Sequence, residues 1–245
     1  MNKLIVQFVG LVLLTVSLVF TEGCSPSKPV PAEDKVPRKA DSSTPPAATV
    51  ASAEGKVVLE TKMPNPLLVG TPVPVNIPNL EPKLTGKRPD FLVPAGTVNL
   101  SKGRKVIASD SDPVVGTLNL LTDGDKEGDE GSWMELAPGK QWVQIDLEKE
   151  AIIYAIIVWH FHSQERAYRD VVVQVSNDPT FSKDVTTVFD NSAAGKDRPY
   201  IENYQGKLID AKGAKGRYVR LSSNGNTTNK LNHYIEVEVF GLPAA

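Results

Sequence analysis

The chain contains almost no cysteine, and this scarcity excludes disulfide bonds as the means of holding its fold together. Cys24 is the single cysteine among 245 residues, so no internal disulfide can form. It lies close behind an apolar N-terminal run and not in the strand-rich part of the chain, which also excludes a cysteine nucleophile in a folded domain. The position of Cys24 therefore requires another explanation.

An excess of positive charge is missing too, as are the common catalytic loops. The formal net charge is -2 at pH 7 and no long basic stretch occurs, which argues against nucleic acid as a partner. No Gly-rich phosphate loop and no Gly-x-Ser-x-Gly nucleophile elbow is present. Acidic residues are frequent, but their spacing selects no pair for glycoside hydrolysis. These absences favour a non-catalytic binding protein.

The N-terminus has the pattern of an export signal. Lys3 precedes an apolar run over residues 4–20, and Gly23 precedes Cys24. This arrangement resembles a bacterial lipoprotein signal, in which residues 1–23 are removed and the cysteine receives a lipid, although Thr21 and Glu22 depart from the usual pattern. We expect an exported, membrane-anchored lipoprotein of the cell envelope, with simple cleavage and an uncleaved anchor as alternatives.

Two segments of low regularity follow the signal. Residues 24–56 are rich in Pro, Ala, Ser and charge and lack an apolar period, so we interpret them as a disordered tether. Residues 57–98 alternate prolines with apolar residues, which excludes central strands and helix interiors. Their apolar content predicts an extended lead-in that lies against a folded domain.

From Asn99 onward the pattern indicates short strands and no helix of useful length. QWVQIDL, DVVVQVS and RYVRLS alternate apolar and polar residues, as half-buried strands do. In YIEVEVFG the same alternation predicts Ile235, Val237 and Val239 inward, with Glu236 and Glu238 outward. AIIYAIIVW is apolar on both faces and is predicted as a central strand. Turn clusters separate these stretches, which favours an all-β sandwich.

The order of these stretches resembles a discoidin domain, also called a coagulation-factor (F5/8) type C domain, of the galactose-binding-like superfamily. The resemblance covers residues 99–242 and implies a jelly-roll β-sandwich. It rests on six stretches in the family's order: NLSKGRKVIASDS, LLTDGDKEG, QWVQIDL, RDVVVQVSNDPTF, GRYVRL and YIEVEVFG.

An acidic loop, LLTDGDKEGDEG, indicates a cation. Hard carboxylate oxygens at irregular spacing suit calcium, and a solvated acidic turn is the alternative. The resemblance implies a structural Ca²⁺ held by Asp123, Asp125 and Glu236, with backbone carbonyls of Leu121 and Ile235. Gly128 stands where the family often has a threonine ligand.

The chain has three histidines, of which His160 and His162 lie two positions apart in VWHFHSQERAYRD. On a strand they would share one face, and His233 could complete a catalytic zinc site with Glu165 as a base. A zinc-dependent hydrolase is therefore one hypothesis. A second is that the histidines make local hydrogen bonds at the mouth of a packed sandwich.

The third hypothesis is carbohydrate recognition by loops at one end of the sandwich. Sugars offer hydroxyl edges and apolar faces, so a site needs planar polar groups beside an aromatic platform. We expect Tyr168 or Tyr234 to provide the stacking face. Docking to another cell-envelope component without binding free sugar is the main alternative. The expected ligand-binding residues are His160, His162, Arg166, Tyr168, Asn232, His233 and Tyr234.

Overall fold

The structure is a computed structural model that describes residues 55–244, which belong to one compact unit. The expected signal peptide, the lipidation of Cys24 and nearly all of the tether lie outside these residues. No helix in the described range is long and apolar enough to cross a membrane.

The described residues form antiparallel strands and one short 3-10 helix at Leu118–Thr122, which confirms the predicted all-β, jelly-roll-like fold. The strands are β1 (Lys56–Val58), β2 (Leu92–Pro94), β3 (Val98–Asn99), β4 (Val106–Ala108), β5 (Met134–Leu136), β6 (Lys140–Trp159), β7 (Val172–Ser176), β8 (Thr186–Asp190), β9 (Lys207–Asn224), β10 (Asn232–Tyr234) and β11 (Glu236–Pro243).

One large sheet organises the domain. Its order is β3-β11-β6-β9-β7-β8, and β4 also pairs with β6. QWVQIDL and AIIYAIIVW, which the sequence suggests as separate strands, are halves of the single strand β6. The register of β6 against β9 shifts between Asp146 and Ala151, where Glu148 has a φ of 68°. This irregularity lets one strand pair with β4 and β9 in its first half and with β9 and β11 in its second.

The main core lies on one face of this sheet. Ile153, Ile156 and Val158 of β6 pack there with Val173 and Val175 of β7. The ribbon of β5 and β10 closes the core from the other side and contributes Met134, Leu136 and Tyr234. Val237 and Val239 face this core as predicted.

The opposite face of β6 and β11 is also covered, which corrects the expected orientation of Glu236 and Glu238. A second apolar cluster there contains Ile157, Trp159 and Ile235, so Ile235 faces away from the main core. The side chains that pack against this cluster are Leu59, Met63, Phe91, Trp133 and Leu208. Because this cover buries the face, Glu236 is fully buried and Glu238 is 6% exposed.

Part of that cover comes from the predicted lead-in, residues 57–98, which contains β1 and β2 at its ends and no strand or helix over residues 59–91. It runs along the domain surface and is anchored at several points. Thr61 Oγ1 donates to Glu238 Oε2 over 2.5 Å, and the Val69 amide donates to the Ser163 carbonyl over 2.7 Å. Near its end, Arg88 donates to Gln205 through both its amide and its guanidinium. The lead-in thus adds a layer to the sandwich.

Candidate functional site

A cluster of stacked rings lies where the chain leaves β6. This strand ends at Trp159, so His160 already belongs to the following loop. The His160 and Tyr168 rings stack with centroids 4.3 Å apart, and Tyr234 lies 4.7 Å from His160. A bridge between Tyr168 and Asn226 joins this loop to the one between β9 and β10. The structure therefore brings the two predicted loops together.

A hydrogen-bonded chain continues from the rings. The Tyr168 hydroxyl lies 2.8 Å from His233 Nδ1, and His233 Nε2 lies 2.8 Å from Glu135 Oε2. Burial, helped by the positive charge of Arg166, lowers the pKa of His233 to about 3. The ring is thus neutral, with Tyr168 donating to Nδ1 and Nε2 donating to Glu135.

Other predicted residues fix the surrounding backbone. Asn232 accepts hydrogen bonds from Ser223 and Gly225 and donates to two carbonyls between β5 and β6. The guanidinium of Arg166 lies over the Phe161 ring and donates to Gln164. These buried contacts hold the surrounding loops in place.

The burial of these groups contradicts the expected open sugar-binding rim. All the predicted ligand-binding side chains are at most 4% exposed: His160, His162, Arg166, Tyr168, Asn232, His233 and Tyr234. The loop surface is partly covered by the lead-in, since Lys83 of that segment pairs with Glu165 over 2.5 Å. The side chains that were predicted to form an open rim are therefore buried, and they support the loops from within the domain.

The histidines do not form a zinc site. His160 Nδ1 lies 2.7 Å from Glu202, His162 Nε2 lies 2.9 Å from the carbonyl of Lys126, and His233 lies in the chain described above. No group of three or more His, Cys, Asp or Glu with metal-binding geometry occurs among residues 55–244. His160 and His162 face different partners because β6 ends before them, so the alternation of a strand does not apply.

The acidic loop lies against β11 as the resemblance implies. The Gly124 amide donates to Glu236 Oε2 over 3.1 Å, while the buried Glu236 Oε1 has no partner among the described protein atoms. Burial, with the nearby charges of Glu238 and Asp123, raises the pKa of Glu236 to about 9. A cation between Glu236 and Asp123 would relieve both the missing partner and the repulsion, so these two residues fit the expected calcium.

The remaining predicted calcium ligands are less directly supported. The Asp125 amide donates to Asp123 Oδ1, and Asp125 Oδ1 accepts from the Glu127 amide. Leu121 and Ile235, whose carbonyls were expected to contribute, are buried. A threonine is excluded at position 128, because a Cβ on Gly128 would overlap Ser163 Oγ and lie 2.9 Å from His162 Cε1.

A groove that the sequence did not predict lies between the lead-in and the domain. It has a volume of about 570 Å³, and residues 81–91 form one wall while residues 198–208 form the other. Glu202, the buried partner of His160, lies in the second wall. Neither wall has a periodic sequence pattern from which the groove could be predicted. The apolar and proline-rich content of the lead-in indicated only that this segment packs against the domain.

A comparison with known families matches part of the strand domain. A family model described as NedA-like, galactose-binding domain, of the F5/F8 type C kind, matches residues 120–221. Residues 120–221 therefore match a discoidin-type, galactose-binding-like domain, which confirms the resemblance drawn from the sequence. No curated protein sequence matches the chain.

Solved structures with a similar fold include domains from larger proteins. A family 89 glycoside hydrolase from Clostridium perfringens matches 60% of this chain at 19% identity and a TM-score of 0.47, and the chain spans only 15% of that hydrolase. A fucose-binding module of Streptococcus pneumoniae matches 58% of this chain and 96% of its own length, with 20% identity and a TM-score of 0.42. A fucolectin from striped bass (Morone saxatilis) serum matches 61% of this chain and 50% of its own, with 18% identity and a TM-score of 0.45.

Proposed function

We propose that this protein is an exported, non-catalytic carbohydrate-binding protein held on a cell-envelope membrane by a lipid on Cys24. The observation that carries the proposal is the galactose-binding-like domain itself, matched over residues 120–221. The ring and hydrogen-bond cluster adds support, because it holds two loops of the domain rigidly and so preorganises the surface around them. The three histidines each have a structural partner, which favours binding over zinc catalysis.

Calcium belongs to this proposal as a structural ion. Asp123 and Glu236 would hold it, and its charge would compensate the buried Glu236 carboxylate. The ion would fix the acidic loop against β11 and take no part in chemistry.

A glycan screen tests the proposal. The mature chain, beginning at Cys24, is screened against immobilised galactosyl, fucosyl and uronosyl glycans, and each hit is measured by calorimetry in solution. We expect saturable binding to at least one glycan, and we expect an unrelated control protein not to bind that glycan. A folded protein, verified by its melting transition, that binds none of these glycans would refute carbohydrate recognition.

Membrane anchoring has its own test. Labelled palmitate should be incorporated into the protein and lost on Cys24→Ala, with release of the variant from the membrane fraction. Equal labelling or equal retention of the variant would show that Cys24 carries no lipid.

One observation favours the alternative of docking to a protein of the envelope. The lead-in exposes a run of apolar side chains, with Leu68 54% and Val73 72% exposed. Such an exposed patch is typical of a protein interface. If docking is the function, Leu68→Ser with Val73→Ser abolishes a defined envelope complex while the glycan screen stays silent; a glycan hit that this double variant retains would decide against docking.

A further inference from the structure

The groove between the lead-in and the domain has the form of a ligand site, and it is separate from the ring cluster. Its volume of about 570 Å³ is large enough for a small ligand. Arg88 and Phe91 of the lead-in face Tyr200 and Lys207 of the domain across it. Because the lead-in precedes the galactose-binding-like domain, this groove is a feature of the whole chain and not of the matched domain alone.

The groove carries surplus positive charge. Neither Arg88 nor Arg198 has a carboxylate partner among residues 55–244; Arg88 donates only to the Gln205 carbonyl through its guanidinium. Two of the three acidic residues that line the groove are paired with cations, Glu81 with Lys207 and Asp90 with Lys87, and the third, Glu202, has a hydrogen bond with His160. Two guanidinium groups therefore remain available for an anion.

The walls also offer features that suit a sugar ring. Phe91 lines the groove and is half-buried, whereas Tyr200, which also lines it, is 6% exposed and has Lys207 over its ring. Glu202 is 3% exposed, and among the described protein atoms its Oε2 atom and the Tyr200 hydroxyl interact only with each other, without forming a well-aligned hydrogen bond. A buried acceptor without a donor is costly, and a ligand hydroxyl would satisfy it.

We propose that this groove binds an anionic saccharide, with Arg88 and Arg198 holding its carboxylate or sulfate and Glu202 accepting a hydroxyl group. His160 acts as a positioning residue, since its hydrogen bond fixes the Glu202 side chain. The inference rests on the proposed carbohydrate-binding function and assigns the site and the charge of the ligand.

Calorimetry with matched sugars tests the proposal on the mature chain. The probes are an oligogalacturonate, the neutral galacto-oligosaccharide of the same length, and its sulfated form. We expect an acidic probe to bind at least about tenfold more tightly than the neutral one, because a charge-assisted guanidinium contact is lost with the neutral sugar. The carboxylated and sulfated probes distinguish which anion is preferred.

Arg198 provides the decisive variant because its side chain is exposed and its replacement leaves the packing intact. Arg198→Ala should weaken binding of the acidic probe by about tenfold and Arg198→Glu by more, with neutral-sugar binding unchanged. Lys196→Ala, which removes an exposed charge outside the groove, is the control and should change neither affinity.

Two results would overturn the inference separately from the function. Equal affinity for acidic and neutral sugars, or unchanged affinity in Arg198→Glu, would show that the protein binds carbohydrate at a place other than this groove. Absence of binding to every probe would refute this site, and absence of binding to the whole glycan screen as well would refute the proposed function.

Discussion

At the scale of single residues, the polar side chains of the ring cluster are buried because each has a specific partner. His160 has Glu202, and His233 has both Tyr168 and Glu135. Such residue types in a segment between strands suggest a surface loop, and only the positions of Glu135 and Glu202 reveal an interior network. The sequence could not predict these two partners, because they lie 98 and 42 positions away from the histidines they contact.

The neutral state of His233 predicts a dependence of stability on pH. Its pKa falls from 6.5 to about 3 on folding, so the unfolded chain binds more protons between these values. The contribution of His233 to the free energy of unfolding is complete above pH 6.5 and is lost as the pH falls towards 3. Each unit of pKa difference is worth about 1.4 kcal/mol.

Replacement of His233 measures this effect. The glutamine in His233→Gln does not titrate, so the melting temperature of the variant should fall less steeply than that of the parent as the pH drops from 6.5. The comparison is made in a Glu135→Gln background, because burial raises the pKa of Glu135 and its partner is His233 itself. Parallel melting curves for the two proteins would contradict the assignment.

The close approach at Gly128 supports a second prediction at this scale. Gly128→Ala places a methyl group against Ser163 and His162, and overpacking of this kind costs about 1–3 kcal/mol. Ser163→Ala removes one of the two clashing atoms, so the double variant should recover part of the loss in a urea titration. A double variant as unstable as Gly128→Ala, with Ser163→Ala itself near neutral, would show that Ser163 is not the obstacle.

At the scale of elements, alternation predicted the strands but not what covers them. The stretches at 141–147, 170–176 and 217–222 correspond to β6, β7 and β9, because the local alternation of apolar and polar residues indicates a strand that is buried on one face. For β11 the same alternation predicted that the side chains of Glu236 and Glu238 are exposed to solvent. Their cover comes from the acidic loop and from Thr61, which is 177 positions from Glu238, and no local pattern contains that information.

The buried pair of Lys126 and Glu238 connects three elements: the acidic loop, the lead-in and β11. The two groups lie 2.6 Å apart with side chains 8% exposed, and both contact Thr61. Glu238→Gln should destabilise the protein by about 3–5 kcal/mol, because Lys126 keeps a buried charge without its counter-ion. Urea unfolding measures the loss.

Two further variants define the origin of that loss. Lys126→Met combined with Glu238→Leu should cost less than Glu238→Gln alone, since no unpaired charge remains. Lys87→Ala breaks the exposed pair with Asp90 and should change stability by at most about 1 kcal/mol. Equal losses for the buried and exposed pairs would disprove the difference in burial as the cause.

At the scale of the whole molecule, the galactose-binding-like domain and its lead-in form one unit, and a bound ion would add to its stability. Calcium that binds only the folded state raises the free energy of unfolding by about 2.7 kcal/mol at a concentration of 100 times its Kd. We therefore expect a chelator to lower the melting temperature of the mature protein and added Ca²⁺ to restore it.

Glu236→Gln should abolish this response, while Asp112→Asn, at an exposed acidic position outside the loop, should retain it. A melting temperature that is indifferent to chelator in the parent protein would argue against the ion. A response that persists in Glu236→Gln would place the ion elsewhere.

The position of β11 between β3 and β6 has a consequence for how the chain is made. β11 ends at Pro243, yet β3 and Thr61, which are synthesised long before it, have their main partners on β11. A ribosome releases the N-terminal part first, so β1 can pair early with β2, whereas β3 and Thr61 lack their partners on β11 until almost the last residue emerges. Loss of the residues from Glu238 onward would therefore remove the partners of both β3 and Thr61.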